Sequence, residues 1–354
     1  MSKSVIVFSP IYYRHNSGRG HPESAKRLHA IINELKKSGL SNNKKLQFVR
    51  PEKACTEDVE LVHGAEYVRL VEAVCKSGGG LLDLQDTVVS SESFEVALYA
   101  VGGALKAVDL VMEKKFENAF ALVRPPGHHA GKYRALGFCL FNNVAIAAEH
   151  LLREFKLKRV LILDVDAHHG NGTQETFYDR SDVLYISLHE DPSSFPGTGF
   201  IDEIGEGKGL GYNVNIPLPF GTSDRIYLKV MREIVEPIAC QYKPEFILVS
   251  VGFDGHYTDP VGELALSASC IQQTHGIIAN LASKLCRGRL MSVLEGGYSL
   301  KFVGKLAAVA IAKMSAIPYT IEDRAPATKR SIESQGAKIL KEVKKVQRTF
   351  WLLE

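Results

Sequence analysis

Six short segments of this chain are apolar almost from end to end, and they limit its fold more than any other feature. They are residues 4–9, 119–123, 160–163, 183–188, 246–251 and 290–294. A strand with one wet face alternates apolar and polar residues. A strand that is apolar throughout is covered on both faces, as in a parallel sheet between two layers of helices. The intervening sequence supplies such helices, at 24–37, 91–115, 142–155, 224–241, 267–285 and 300–315. In the first, Leu28, Ile31, Ile32 and Leu35 fall on one face and Gly39 follows the last turn. The stretch 91–115 reads as a longer amphipathic helix. Strands alternating with helices of this length predict an α/β fold with a central, mostly parallel sheet flanked by helices.

Composition agrees with one large globular unit. Hydrophobic residues make up 45% and charged residues 23% of the 354, enough for a sizeable core and too apolar for a disordered chain. No internal repeat or low-complexity linker divides the sequence, so residues 1–320 are expected to form one domain. From about Ile321 the character changes: a polar stretch containing a proline precedes a basic helical pattern that ends in Phe350, Trp351, Leu352 and Leu353. Residues 321–354 are therefore expected to be a C-terminal helical extension packed on the domain.

Several function classes lose support at this stage. Lys and Arg number 43 against 40 Asp and Glu, a net charge of +3, which makes no case for direct nucleic-acid binding. The longest apolar run, 306–312, is far short of the roughly 20 residues of a membrane span. No signal-peptide pattern opens the chain, so a cytoplasmic location is expected. The six cysteines contain no CxxC pair and read as reduced thiols.

The informative polar residues follow the strands. Arg124-Pro-Pro-Gly-His128-His129 comes after 119–123, and Asp164-Val-Asp166-Ala-His168-His169-Gly-Asn171 after 160–163. His189 follows 183–188, Asp254 and His256 follow 246–251, and Glu295-Gly296-Gly297-Tyr298 follows 290–294. Open α/β sheets bind ligands outside the carboxyl ends of their strands. Five strand ends therefore aim polar groups at one rim.

Asp166 and His168 are two residues apart, so in an extended segment both side chains leave the same face. A carboxylate and an imidazole so spaced can chelate one metal ion, and Asp254 can add a third ligand from a neighbouring strand. Three protein ligands plus a solvent position describe a catalytic zinc site, although two carboxylates and an imidazole also accept iron(II). The pair His128–His129, on a tight Pro-Pro-Gly turn, suits general acid–base work near neutral pH. Asp164 lies on the same side as Asp166 and can orient an imidazole N–H. Gly296 and Gly297 let the backbone run close to a ligand and leave the Tyr298 phenol exposed to donate to a developing oxyanion.

These motifs together resemble the zinc-dependent histone deacetylase superfamily, which includes acetoin-utilisation proteins and acetylpolyamine amidohydrolases. The resemblance rests on RPPGHHA at 124–130, GFCLFNNVAIAA at 137–148, DVDAHHGNGTQ at 164–174, FPGTG at 195–199, GFDGH at 252–256 and LEGGY at 294–298. It runs in order from HPESAKR at His21 to Tyr298, and Asn171 with the Glu-Gly-Gly-Tyr form is similar to the class II and bacterial branch. The resemblance implies the single-domain arginase–deacetylase fold. It implies zinc on Asp166, His168 and Asp254, with His129 as general base and then acid. His128, paired with Asp164, would orient water and stabilise charge, and Tyr298 would hold the substrate carbonyl. Gly137, Phe138 and Phe195 would line a narrow substrate channel, with Val261, Gly296 and Gly297 assigned to the same channel, and Arg27 would lie near an internal exit channel. Structural potassium is implied at the backbone of Asp164, Asp166 and His168 with Ser187 and Leu188, and at a second site of Phe177, Arg180, Val183 and Tyr212. Where the first branch usually has aspartate, Asn171 stands here, a neutral amide that raises the His129 pKa less than a carboxylate would.

The activity expected on these grounds is hydrolysis of an N-acyl amide, with an acylated lysine of a protein or peptide as substrate. An acetylpolyamine amidohydrolase uses the same machinery on a small acylated amine. Apolar Val261, in the mouth segment Asp259-Pro260-Val261-Gly262, argues for lysine, whereas nearby Glu263 keeps the polyamine reading open. A non-catalytic acyl-lysine binder is disfavoured because every catalytic position is filled. An arginase-like urea hydrolase would need a second metal site with further aspartates.

Overall fold

The computed structural model describes residues 3–83 and 86–354. Among these residues there are ten strands: β1 Ser4–Val7, β2 Leu46–Val49, β3 Gly79–Leu81, β4 Val88–Ser90, β5 Asn118–Ala121, β6 Val160–Asp164, β7 Val183–Glu190, β8 Asn213–Leu218, β9 Phe246–Val251 and β10 Leu290–Leu294. The helices are α1 Ala25–Lys37, α2 Thr56–Val59, α3 Ala65–Lys76, α4 Ser93–Met112, α5 Asn143–Arg153, α6 Asn171–Phe177, α7 Asp224–Val230, α8 Glu236–Tyr242, α9 Ala268–Cys286, α10 Val303–Met314 and α11 Arg330–Gln347. A wider π turn at Met231–Val235 joins α7 to α8, so the stretch predicted as one helix runs on with a local change of pitch.

Eight strands form one sheet in the order β2-β1-β5-β10-β9-β6-β7-β8, every pair parallel, and β3 and β4 form a separate antiparallel pair. All six apolar segments are strands of the large sheet. The five whose ends carry polar clusters, β5, β10, β9, β6 and β7, are consecutive neighbours in it. Register aligns their ends: Asp164 lies opposite Ser250 on one side and Ser187 on the other.

The two strands of the large sheet that periodicity did not predict are at its edges. Leu46–Val49 buries only Leu46 fully, so it lacks the continuous apolar signature. Asn213–Leu218 is buried throughout but carries two asparagines and a proline. Its amides are accommodated by polar partners: Asn213 and Asn215 each donate to Gln174 Oε1, at 2.8 and 2.7 Å. Pro217 is tolerated because the strand is an edge. The outer side of this strand meets α11, and Trp351 Nε1 donates to the Gly211 carbonyl at 2.9 Å. Trp351 also stands edge-on to Tyr212 and Tyr242.

The segment 91–115 departs from its expected amphipathic character. As α4 it is buried on nearly every side, between the sheet and α5. Close approach on one side depends on Gly102, where an added Cβ would lie 2.0 Å from the Glu52 carbonyl oxygen. Among the described residues no helix is long and apolar enough to cross a membrane.

Three buried histidines sit in this framework as neutral rings. His63 accepts from the Asn142 N–H at 2.8 Å, His189 sits 2.9 Å from the Gly199 carbonyl, and His275 bonds the Ile271 carbonyl at 2.9 Å. Burial pushes each imidazole down to about 4. The unfolded chain takes up these protons near pH 6.5 and the folded chain only near 4, so stability present above pH 6.5 is lost as pH falls through that window. Denaturant midpoints should therefore fall steadily from pH 6.5 to 4. Replacing His275 by Gln, which does not titrate, should flatten the slope; an unchanged slope would show that His275 is not held neutral.

Candidate active site

The rim above the central strands holds a dense set of buried polar groups. Asp164, the last residue of β6, lies 3.0 Å from His128 Nδ1 and accepts from Tyr185 Oη at 3.1 Å and from the Asp166 N–H at 3.2 Å. Asp166 accepts the His168 N–H at 2.9 Å and, on its other oxygen, the Gly296 N–H at 2.8 Å. Asp254, beyond β9, accepts the Ala167 N–H at 3.0 Å. His168 Nδ1 then faces both carboxylates, 3.1 Å from Asp254 and 3.3 Å from Asp166. One donor atom from each of Asp166, His168 and Asp254 lies within 4.8 Å of the others, and all three residues are buried.

The arrangement fits a metal ion. Two buried carboxylates face each other, and burial together with Asp166 pushes the Asp254 carboxyl up to about 7. A cation between them relieves that repulsion. The backbone is shaped to let the carboxylates approach: a Cβ on Gly252 would lie 2.1 Å from Asp166 Oδ2, and one on Gly296 2.2 Å from Asp254 Oδ2.

Beside this cluster, the adjacent histidines have opposite electrostatic fates. Burial alone would lower His128, but Asp164, Asp166 and Glu295 outweigh it and push the imidazole up to about 10. Burial and the positive charges of His128 and His168 hold His129 well below the usual histidine range. The rings are 4.0 Å apart, so one charge suppresses the other. His129 Nδ1 is 2.9 Å from Asn171 Oδ1; its N–H is assigned there, leaving Nε2 as the basic atom. Glu295 accepts the Gly127 N–H at 2.7 Å and the His128 N–H at 3.2 Å, which holds the Pro-Pro-Gly turn against the floor.

A cleft of about 210 Å³ opens onto this floor, lined by Asp86, His129, Gly137, Phe138, His168, Glu190, Ser194, Phe195, Val261 and Tyr298. Phe195 stands edge-on to His129 at 4.9 Å, and Phe138 edge-on to Tyr298 at 5.8 Å. Gly137 has φ +54°, and a Cβ there would be 2.5 Å from His129 Cδ2, so only glycine lets the aromatic wall meet the base. Most residues assigned to the channel thus line one cleft. Gly296 and Gly297 do not: the first lies behind the carboxylates and the second against Phe253.

Tyr298 corrects a second expectation, because it is buried rather than exposed. Burial keeps its phenol well above the usual range, hence protonated and a donor. Its ring lies under the Arg27 guanidinium, 4.9 Å away. Buried Arg27 also donates to the carbonyls of Gly297, at 2.7 Å, and Glu295, so it braces the loop that carries Tyr298. Of the residues assigned to potassium, Asp164 and Ser187 are register partners on neighbouring strands, and Ser187 Oγ lies 2.8 Å from His189 Nδ1. In the second set, the Phe177 carbonyl accepts the Arg180 N–H and the Tyr212 carbonyl accepts the Tyr185 N–H.

Three acidic residues belong to this region without having been singled out as site residues. Asp86 and Glu190 line the cleft. Asp259 accepts the N–H groups of Tyr298 at 2.7 Å and Ser299 at 2.9 Å on one oxygen and of Val261 at 3.0 Å on the other, tying the mouth to the catalytic loop. Glu190 had a sequence signal, since it directly follows His189 at a strand end. Asp86 had none.

Fold and site together define a hydrolase of the arginase–deacetylase architecture. The chain belongs to the histone deacetylase family, whose domain matches residues 21–314, and it is a deacetylase. It is 43% identical to a probable deacetylase of Archaeoglobus fulgidus, over 98% of both chains. A histone deacetylase-like amidohydrolase of Pseudomonas aeruginosa is 37% identical, over 86% of this chain and 79% of its own. Among solved structures, the HDA15 HD domain matches with a TM-score of 0.89 and 32% identity, over 99% of this chain and 95% of that one. The family is generally metal-dependent and acts on acylated substrates.

Gly296→Ala tests the fitted cradle. The added methyl must separate Asp166 from Asp254, so the protein should remain folded but bind its metal at least tenfold more weakly, the usual scale for a disturbed ligand environment. Elemental analysis after dialysis against a weak chelator should show depleted metal; wild-type content would mean that the carboxylates need no such approach.

Proposed function

We propose that this protein is a zinc-dependent amidohydrolase that removes acetyl or other acyl groups from lysine side chains. The observation that carries the reading is the convergence, at the floor of one narrow cleft, of a neutral His129, the protonated Tyr298 phenol and the Asp166–His168–Asp254 donor set. The walls suit a lysine stem: Gly137, Phe138, Phe195 and Val261 offer apolar surface to its methylenes.

A zinc ion held by the three ligands would polarise the substrate carbonyl and make water more acidic. Iron(II) is the alternative for the same donors. His129 takes the proton from attacking water through Nε2, since its Nδ1–H is engaged by Asn171. It then returns the proton to the leaving amine. His128, positively charged beside Asp164, does not compete for that proton and stabilises negative charge on the reacting carbonyl. The Tyr298 phenol donates to the same carbonyl oxygen, and its hydrogen bond strengthens as charge develops. Potassium at the Asp164, Asp166, His168, Ser187 and Leu188 site would brace the ligand loop, with the second site as further support. A cytoplasmic location is in keeping with six free cysteines.

The acetylpolyamine reading has an observation of its own, because Asp86 and Glu190 place carboxylates in the cleft. Glu263, by contrast, is exposed and does not line it. At the mouth, apolar Val261 provides nothing for the second ammonium of a polyamine.

Tyr298→Phe should retain metal and fold yet lose about 10²–10³ in kcat, the scale for one oxyanion donor, with a smaller change in KM. Turnover within twofold of wild type would remove the phenol from the chemistry. Purified enzyme assayed on acetyl-lysine peptides, longer acyl-lysines and acetylated polyamines should prefer the acetyl-lysine peptide to the polyamine by tenfold or more in kcat/KM. Val261→Glu should narrow that ratio, because a carboxylate attracts an ammonium by about a kcal/mol at a wet rim. A wild-type preference for acetylspermidine would reverse the assignment.

A further inference from the structure

Resting on the metal reading above, we infer that Glu190 is a positioning residue that holds the ligand His168 in its metal-binding form. The carboxylate is buried at the end of β7, in the wall of the cleft. Its Oε1 lies 3.5 Å from His168 Nε2, on the opposite edge of the ring from the metal-facing Nδ1. For Nδ1 to offer a lone pair to a cation, the ring proton must sit on Nε2. That N–H then needs an acceptor, and the carboxylate facing it at ion-pair distance is Glu190. A carboxylate in this place fixes the ring's tautomer and orientation and makes the imidazole a better donor to the metal.

Glu190 cannot readily turn away. Its own N–H donates to the carbonyl of Ala167, the residue between the two ligands Asp166 and His168, at 2.8 Å. Its second oxygen accepts the Glu263 N–H at 2.7 Å, just beyond Val261. One carboxylate thus joins a metal ligand to the loop that forms the mouth. Glutamine has the same shape but only one carbonyl oxygen. If that oxygen keeps the Glu263 bond, an NH₂ group faces the Nε2–H and the support is lost; if it turns to Nε2, the loop is released.

The test is metal binding without substrate. Metal-free wild type, Glu190→Gln and Glu190→Ala are titrated with Zn²⁺ against a chromophoric chelator, and the Co²⁺-loaded proteins are compared by visible absorption. Zinc should bind at least tenfold more weakly in both variants, with a shifted Co²⁺ spectrum, while the metal-free proteins unfold at the wild-type temperature. Zinc affinity within twofold of wild type in Glu190→Gln overturns the inference, and so does a loss confined to Glu190→Ala, which would reduce Glu190 to a packing role. A wild-type protein that binds no zinc overturns the metal reading itself and this inference with it.

Discussion

Four buried carboxylates, Asp164, Asp166, Asp254 and Glu295, meet at the ends of the neighbouring strands β6, β9 and β10, and the cost of burying that charge organises everything around it. Buried charge persists only when it is paired or hydrogen-bonded. Backbone N–H groups of Gly127, His128, Asp166, Ala167, His168 and Gly296 supply part of the compensation. The rest comes from imidazoles and, in the metal reading, from a cation. Loops that would otherwise be free to wander are held because each carboxylate takes its donors from a different segment.

That charge also separates the roles of two adjacent, chemically identical side chains. His128 looks onto Asp164 and Glu295 and keeps its proton; His129 is buried beside an amide and the charged His128 ring and gives its proton up. Spacing in the chain cannot produce the difference. Asn171 contributes by what it lacks: an aspartate in its place would add a negative charge next to His129 Nδ1 and raise the pKa that the site holds down. The cleft is narrow for a related reason. Gly137 lets Phe195 and His129 come together, so the proton acceptor sits against an apolar wall with little room for solvent.

Much of this is legible in the amino-acid sequence. Strands buried on both faces leave an unbroken apolar run, so the six central strands and their order of polar endings could be read directly. The residues carrying metal and proton chemistry stand immediately after those runs, where a parallel sheet must gather them. Edge strands were not legible, because Leu46–Val49 is half exposed and Asn213–Leu218 hides its asparagines among polar partners. Glu190 was adjacent to a recognised strand end, yet nothing in one dimension showed that its carboxylate reaches His168.

The amino-acid sequence by itself determined which chemical groups arrive at the rim, since strand burial and the Asp-x-His, His-His and Gly-Gly-Tyr spacings are local properties. Tertiary structure alone decided how those groups behave. It buried the Tyr298 phenol, set Gly296 behind the carboxylates and Gly297 against Phe253, brought Asp86 into the cleft and sorted protons between His128 and His129. These outcomes depend on through-space distances and on exclusion of water between segments far apart in the chain, and Coulomb interaction and desolvation act across exactly those gaps rather than along the backbone.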